Sequence, residues 1–452
     1  MNDTAWHEMT ALSLGAAIQN LTIDPIDLTE HFLTRMERDD PDHRVYIRAT
    51  AARARAEAAA ASARAKAGLR QSPLDGVPMS WKDLTDTAGT ATTFGSALLR
   101  DRVPDRDALL LRRATLAGMI CLGKTTMSEF AYSGLGINPI FGTPANGADE
   151  DVERVPGGSS SGAAVSVTNG LAPAGIGSDT GGSVRIPAAL NGIVGLKTTI
   201  GLLPLDGILA LSPTFDTIGP LTRDVADANA ILAVLNESKP FDLNGANLDG
   251  VRLLKPSDIM FDDLDAVVGA AIGKALDCLS NAGAEIIEAP VPEFAEAFAH
   301  VAKHGNIISA EAFALWHDEV EARGDEMYWG IRSRFELAKK LTAIDAEAAH
   351  IGLKAIAARY AARTAGYAAV VHPTCPRIAP PIADLQDDPV AYDDANLAMT
   401  RNTRLGNIME TCGVTVPCQG LGQLPVGLSL MAAGGREGLV LRLGKAAEQA
   451  LV

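Results

Sequence analysis

The sequence is poor in cysteine for its length. Only 5 of its 452 residues are cysteines, and they are scattered along the chain at Cys121, Cys278, Cys375, Cys412 and Cys418. Their spacing matches no metal-ligand pattern and no CxxC redox motif. We therefore expect a chain without a metal site, whose thiols stay reduced in the cytoplasm.

Positive charge and long apolar runs are scarce as well. The chain has 39 Lys plus Arg against 55 Asp plus Glu, which gives a formal net charge of −16. A protein this acidic lacks the basic surface that binds nucleic acid, and anionic lipid repels it. No run of about 18 apolar residues could span a bilayer, and the first ten residues do not resemble a secretory signal. We expect no nucleic-acid partner and no membrane association.

The order of the predicted elements indicates an α/β fold. Short apolar runs alternate with helical segments after about residue 73, which favours a large mixed central sheet covered by helices on both faces. We expect one domain over 1–452, with a helical region at 1–68, a core at 69–225 and a C-terminal half at 226–452 that completes the sheet and pocket. The predicted helices include an Ala-rich one at 49–67, one capped by Thr222, and those at 263–282, 334–365 and 437–452.

One segment matches the sequence motif of a phosphate-binding loop. Residues 118–125, GMICLGKT, match the pattern of G, four residues, then GKT. That motif requires a strand before the loop and a helix after it. Here the four intervening residues are apolar and read as the strand, and the helical segment precedes them. We predict no nucleotide site, and a structural or solvent-facing Lys124 at the end of a strand.

Three short glycine-bearing segments carry the chemistry, at 76–84, 156–165 and 177–188. In the last of them a glycine pair directly precedes Ser183. Such a pair lets backbone N–H groups converge on one point, which is what a tetrahedral oxyanion requires. Ser183 is therefore the candidate nucleophile.

The usual base for a serine nucleophile is missing, because no histidine occurs between His43 and His300. Lys82 is the alternative, although at an unperturbed pKa near 10.4 only about 1 in 10³ molecules is neutral at pH 7. The apolar residues around it predict burial, which would lower that pKa. A buried amine needs hydroxyl partners more than a carboxylate, and the candidates are Ser159, Ser160 and Ser161.

The chain resembles the amidase signature family of serine hydrolases. The resemblance is carried by WKD at 81–83, GGSSSG at 157–162 and SDTGGSVRIP at 178–187, in the order and spacing of that family. It is strongest over 74–221, with weaker matches towards the C-terminus, and it implies the amidase signature fold and no cofactor.

The resemblance also implies roles for individual residues. Ser183 would attack the amide and form an acyl-enzyme, Lys82 would be the base, and Ser159, after a cis peptide bond, would relay the proton between them. The implied oxyanion hole consists of Thr180, Gly181, Gly182 and Ser183. The implied loop support comes from Ser160, Asp179 and Arg185. His317, His372 and Cys412 are interpreted as structural.

The substrate predicted from the sequence is a small-molecule amide, cleaved to release ammonia or an amine. Ile186 and Met127 are the candidate pocket residues, and the aliphatic Ile186 favours a neutral or apolar acyl group. Glu410–Cys412 is expected to line the far side of the pocket. Alternatives are the glutaminase subunit of a tRNA-dependent amidotransferase, a hydrolase of urea-type or carbamate substrates, and a binding protein without activity. A homodimer is compatible with all of them.

Overall fold

The computed structural model describes residues 5–149, 151–419 and 423–451. Its strands are β1 (Tyr46–Ala49), β2 (Pro78–Lys82), β3 (Ile120–Thr125), β4 (Ala174–Asp179), β5 (Val194–Lys197), β6 (Thr217–Thr222), β7 (Arg252–Pro256), β8 (Glu285–Ala289), β9 (Ala369–Pro373), β10 (Thr411–Pro417) and β11 (Gly427–Ala433). They form one sheet in the order β1-β3-β2-β4-β6-β5-β10-β11-β9-β7-β8.

Helices surround this sheet. They are α1 (Ala11–Gln19), α2 (Pro25–Asp39), α3 (Ala51–Ala67), α4 (Leu109–Leu116), α5 (Ser161–Thr168), α6 (Arg185–Leu190), α7 (Val225–Leu235), α8 (Ala266–Asn281), α9 (Pro292–His304), α10 (Ile307–Arg323), α11 (Trp329–Ala338), α12 (Ala343–Thr364), α13 (Pro389–Ile408) and α14 (Glu437–Ala450). Short 3₁₀ turns lie at Ala5–Glu8, Ala97–Leu99, Glu129–Ala131, Ile259–Phe261, Gly324–Glu326 and Ile382–Asp384. None of the helices described is both long and apolar enough to cross a membrane.

The sheet mixes parallel and antiparallel pairs, as the sequence predicts. Strands β2, β3 and β4 run parallel to one another, whereas β6 is antiparallel to both β4 and β5. Strand β5 then pairs with β10, so strands from the middle and the end of the chain share the sheet. The division of the domain at residues 68 and 225 stays a prediction.

Two predicted helix boundaries are wrong. The cap of α7 is Asp224, whose side chain accepts from the Asp227 N–H, and not Thr222, which ends β6. The helix predicted over 334–365 is two helices, because Thr342 and Asp345 form a capping box that starts α12. In each case a side chain that satisfies free N–H groups decides where the helix begins.

The structure also settles the order of elements around the GKT segment. Helix α4 precedes strand β3, as predicted, and Lys124 lies inside that strand. Its side chain is fully buried, 3.0 Å from a carboxylate oxygen of Asp83 and 3.0 Å from the Thr92 hydroxyl. Of the two alternatives predicted for Lys124, the solvent-facing one is therefore wrong, because the side chain is buried beside a buried carboxylate.

The fold brings the three glycine-bearing segments to one edge of the sheet. Strand β2 ends at Lys82 and the parallel strand β4 ends at Asp179, so both chains leave the sheet at the same edge. In α/β sheets, ligands bind at the carboxyl ends of parallel strands. Helix α13 covers this edge, since the Thr403 hydroxyl donates to the Gly181 carbonyl at 2.8 Å.

Candidate active site

Lys82 lies at the centre of a cluster of hydroxyl groups. Its side chain is 0% exposed, and its Nζ atom lies 2.7 Å from Ser159 Oγ, 3.0 Å from Ser160 Oγ and 2.8 Å from Ser178 Oγ. Among the residues that the structure describes, no carboxylate is within ion-pair distance of this amine. No direct ion pair therefore holds this amine in its charged form.

Burial lowers the pKa of Lys82 from its ordinary value of 10.5 to about 7, against the opposing pull of the buried carboxylates of Asp216 and Asp179. A far larger fraction of the molecules then carries a neutral amine near pH 7 than for an exposed lysine. A neutral amine has two N–H donors and one lone pair, whereas three hydroxyls surround it. One of those hydroxyls can therefore donate its hydrogen to Nζ, which is the first step that a base has to perform.

Two of the three predicted hydroxyl partners contact Lys82. Ser159 and Ser160 do so, but the Ser161 hydroxyl instead donates to the Thr126 carbonyl at 3.3 Å, because Ser161 begins helix α5 and faces away. Sequence reasoning missed Ser178. Its position near the end of a buried strand parallel to β2 was the available signal.

The peptide bond between Gly158 and Ser159 is cis. The loop is closely packed, since a Cβ atom on Gly158 would come within 2.5 Å of the Gly136 nitrogen. The Ser160 N–H donates to the Ser183 carbonyl at 3.3 Å, which joins this loop to the one that carries Ser183.

Ser183 lies between β4 and α6 with 6% of its surface exposed. In the described part of the chain, the N–H groups of Gly181 and Ser183 have no hydrogen-bond partner, so both are available to an oxyanion. The Gly182 N–H is not, because it donates to a carboxylate oxygen of Asp179 at 2.9 Å. The prediction that includes Gly182 among the free amides is wrong for that reason.

A buried ion pair lies beside the loop. Arg185 donates to the Asp179 carboxylate through Nε at 3.0 Å and through Nη2 at 2.9 Å, and Asn407 donates to the same carboxylate at 2.9 Å. Burial raises the pKa of Asp179, but Arg185 outweighs it and holds this pKa well below its usual range. Asp179 and Arg185 therefore form a buried pair beside the loop. Their role as its support, which the resemblance implies, stays a prediction.

A second buried carboxylate, Asp216, was not singled out from the sequence. It accepts from the Thr180 hydroxyl at 2.5 Å and from the N–H groups of Leu211 and Ser212 at 2.9 and 3.0 Å. Burial raises its pKa to about 6, and the charge of Lys82 opposes that rise. Thr180 is thus tied to the chain that precedes β6.

A small cavity of about 70 Å³ opens above Ser183. Tyr132, Ser133 and Gly134 line one side, and residues of α11 and α13 line the other. The complete lining is Ala131, Tyr132, Ser133, Gly134, Thr180, Gly181, Ser183, Leu211, Asn306, Ile308, Arg334, Asn396, Leu397, Thr400 and Arg404. Sequence reasoning missed the contribution of α13.

Neither predicted pocket residue lines this cavity. Met127 is fully buried beside Gly95, and Ile186 is fully buried behind Gly134 and Gly182. The preference for a neutral or apolar acyl group was inferred from the assumption that Ile186 lines the pocket. That assumption is wrong, because Ile186 is absent from the lining. The segment 410–412 is also absent from the lining, because it leads into β10, where Cys412 is buried.

The remaining candidates lie elsewhere. His372 is buried in β9, where burial lowers its pKa to about 4, and its Nδ1 lies 2.8 Å from the Pro373 carbonyl oxygen. His317 lies on the surface, 3.2 Å from the Asp318 carboxylate. Within the described ranges, no group of three or more His, Cys, Asp and Glu side chains could hold a metal ion.

Comparison with known proteins assigns the chain to a family. The model of the family described as Amidase matches residues 27–441. The 2-amino-5-chloromuconic acid deaminase of Comamonas testosteroni is 35% identical over 367 residues, which cover 79% of this chain and 78% of that protein.

Two further relatives match almost the whole chain. A glutamyl-tRNA(Gln) amidotransferase subunit of Roseiflexus sp. (strain RS-1) is 33% identical, and the match covers 98% of this chain and 96% of that protein. A crystal structure of an amidase superimposes with a TM-score of 0.88 at 28% identity, covering 98% of this chain and all of that one.

Proposed function

Since the chain belongs to the amidase family of amide-cleaving hydrolases, we propose that it hydrolyses a small-molecule amide through an acyl-enzyme on Ser183. Lys82 is the base and Ser159 relays the proton. The observation that carries this proposal is the buried Lys82 amine, which has three hydroxyl contacts and a pKa lowered to about 7.

Acylation begins with the neutral amine. The Ser159 hydroxyl gives its proton to Lys82 Nζ and takes one from Ser183 Oγ, whose oxygen forms a bond to the amide carbon. The carbonyl oxygen becomes an oxyanion, and the free N–H groups of Gly181 and Ser183 stabilise it. The proton then returns through Ser159 to the amide nitrogen, the C–N bond breaks, and ammonia or an amine leaves.

Deacylation repeats the sequence with water. The neutral Lys82 again accepts a proton through Ser159, this time from a water molecule that attacks the ester carbon. The tetrahedral intermediate collapses, the bond to Ser183 Oγ breaks, and the proton returns to that oxygen. The product is a carboxylic acid, and the enzyme regains its initial protonation state.

A second candidate is the glutaminase subunit of an amidotransferase, which would use the same chemistry and pass its ammonia to a partner. The 33% identity to the Roseiflexus protein over nearly the whole chain favours it. It predicts glutaminase activity and copurification with other subunits, whereas a stand-alone amidase acts on simple amides by itself. For either function we propose that the chain acts in the cytoplasm, where its five free thiols would stay reduced.

The test is ammonia release from a panel of carboxamides, combined with fluorophosphonate labelling of Ser183. Ser183→Ala and Lys82→Met should each abolish turnover, and Ser159→Ala should lower it by orders of magnitude. Ser161→Ala is the matched control, because this serine belongs to the same SSS run but does not contact Lys82. Turnover in Lys82→Met close to that of the wild type would overturn the proposal.

A further inference from the structure

The cavity above Ser183 has an unusual charge for so acidic a protein. The chain has a formal net charge of −16, yet none of the described lining residues is acidic and two of them, Arg334 and Arg404, are arginines. Guanidinium groups keep their charge at any pH that a protein survives. The cavity is therefore a locally positive site.

Arg404 has no anionic partner in the described part of the chain. The side chain is half-buried, its Nε atom is buried without any hydrogen-bond partner, and its Cζ atom lies 5.0 Å from the centre of the Phe298 ring. Burial and the nearby Arg334 lower the pKa of its guanidinium. A charge taken out of water is costly unless it is paired, so the arrangement points to an anion that arrives with the substrate.

Helix α13 places Arg404 in the lining of the cavity above Ser183. Asn396, Thr400 and Arg404 are spaced by four residues, so they share one face of the helix. All three line the cavity. The adjacent Thr403 is hydrogen-bonded to the Gly181 carbonyl. This bond fixes the helix, and with it Arg404, relative to the loop that carries Ser183.

Arg334, on α11, supplies a second guanidinium on the same side of the cavity. Its side chain is 18% exposed and lies 3.2 Å from the carboxylate of Asp393, which is itself half-exposed. Its Cζ atom is 5.7 Å from the centre of the Tyr132 ring. An ion pair with an exposed carboxylate is weak, so Arg334 can still attract an anion in the cavity.

We propose that the substrate carries a carboxylate in addition to its scissile amide, and that Arg404, assisted by Arg334, binds this carboxylate. The proposal rests on the proposed function, since it names the substrate class of the same site. The planar guanidinium fork matches a carboxylate and fixes its orientation. An α-ammonium group would meet no acidic residue in the described lining, so a deaminated ω-amide fits better than glutamine does.

Steady-state kinetics with matched amides test this. Glutaramate, which is glutamine without its amino group, is compared with neutral pentanamide and with L-glutamine. In the wild type, kcat/KM for glutaramate should exceed those for pentanamide and glutamine by about tenfold or more. A kcat/KM for pentanamide equal to those for both glutaramate and its isomer N-propionylglycine, which carries the carboxylate on the leaving amine, would overturn the proposal.

Variants of Arg404 separate binding from folding. Arg404→Gln should lower the ratio of kcat/KM for glutaramate to that for pentanamide by about 10- to 100-fold, mainly through KM, and Arg404→Lys should recover part of the loss. The matched control is Arg106→Gln, because the Arg106 side chain is 86% exposed and should leave both rates unchanged. Equal loss for both substrates in Arg404→Gln would mean that this residue is structural, which contradicts the proposal.

N-propionylglycine tests the other possible position of the carboxylate, because it bears this group on the leaving amine. A preference for glutaramate places the anion on the acyl group, whereas a preference for N-propionylglycine places it on the leaving group. Either result supports binding of a carboxylate by Arg404 if Arg404→Gln removes the preference.

Failure of the proposed function gives a different result. If Ser183 is not labelled by a fluorophosphonate, the acyl-enzyme mechanism is wrong, and the carboxylate site is then measured by calorimetric titration of glutarate into wild type and Arg404→Gln. If Ser183 is labelled, glutarate should slow the labelling of the wild type and should slow that of Arg404→Gln much less. Glutarate without effect on the wild type, in either assay, would overturn the carboxylate site alone.

Discussion

Lys82 Nζ and Ser178 Oγ lie 2.8 Å apart, on the neighbouring parallel strands β2 and β4. This contact completes a ring of three hydroxyls around a buried amine, with Ser159 and Ser160 as the other two. Three acceptors suit the three N–H groups of an ammonium, whereas the neutral amine needs only two. Ser178 therefore influences the proton affinity of the base without belonging to the proposed relay.

The pH dependence of the wild type follows from the pKa of Lys82. Burial lowers it to about 7, and the proposed base acts only when neutral. Activity should therefore fall about tenfold per pH unit below pH 7 and level off above it. This fall is the acid limb of the pH profile. It is measured by the rate of fluorophosphonate labelling of Ser183 as a function of pH. A labelling rate independent of pH from 5 to 9 would contradict the assignment of the base.

Replacing Ser178 should move that limb. Ser178→Ala removes one hydroxyl acceptor from Nζ. A hydrogen bond from the charged ammonium is stronger than one from the neutral amine, so the loss should destabilise the ammonium more. The pKa of Lys82 should therefore fall further, and the acid limb should shift to lower pH. The labelling profile checks the shift, and Ser161→Ala serves as the control because its hydroxyl contacts the Thr126 carbonyl. A shift to higher pH would mean that Ser178 donates to Nζ and stabilises the neutral amine.

Asp216 should act on the same limb through its charge. Its buried carboxylate attracts the Lys82 ammonium and so opposes the lowering of that pKa. In Asp216→Asn the limb should move to lower pH, and the ratio of activity at pH 6 to activity at pH 8 should rise. Asp206→Asn is the control for net charge, because Asp206 is exposed. An unchanged ratio in Asp216→Asn would show that the carboxylate does not influence Lys82.

The buried pair of Asp179 and Arg185 should matter for stability. Arg185→Met leaves a buried carboxylate without its main partner, which should cost about 3–5 kcal/mol and lower Tm in thermal unfolding. Because the pKa of Asp179 is held below its usual range, the stabilisation is present above about pH 4 and is lost as the pH falls. Arg55→Met, which breaks a surface pair with Glu30, should leave Tm unchanged. Equal Tm values for Arg185→Met and the wild type would contradict the role of the pair.

The two adjacent glycines of the loop should respond differently to alanine. Gly182 has φ +127°, and a Cβ atom there would lie 2.0 Å from the Thr403 hydroxyl oxygen, whereas a Cβ atom on Gly181 would meet no atom within 4 Å. Gly182→Ala should lower kcat/KM by about 100-fold or more, because it displaces the loop that carries Ser183. Gly181→Ala should fold with an unchanged Tm. A fully active Gly182→Ala would contradict the packing against α13.

Local motifs sufficed to predict several contacts of the candidate site. Burial of Lys82 was predicted from its apolar neighbours, and its contacts with Ser159 and Ser160 follow the expected pattern. Ser178 escaped prediction because its contact depends on the register of β2 against β4. The contribution of α13 escaped for a similar reason, since Arg404 is more than 200 residues from Ser183 in the chain.

The sequence by itself determined the class of fold, the family and the candidate nucleophile, base and relay, because each depends on short segments with their own backbone and chemical requirements. Only the tertiary structure decided which amides stay free, which hydroxyls surround the amine and which side chains face the cavity. The Gly182 amide is taken by Asp179, and Ile186 is buried behind the loop while Arg404 faces the opening. The physical reason is that burial, charge pairing and hydrogen-bond saturation are set by neighbours in space, which residue spacing along the chain does not specify.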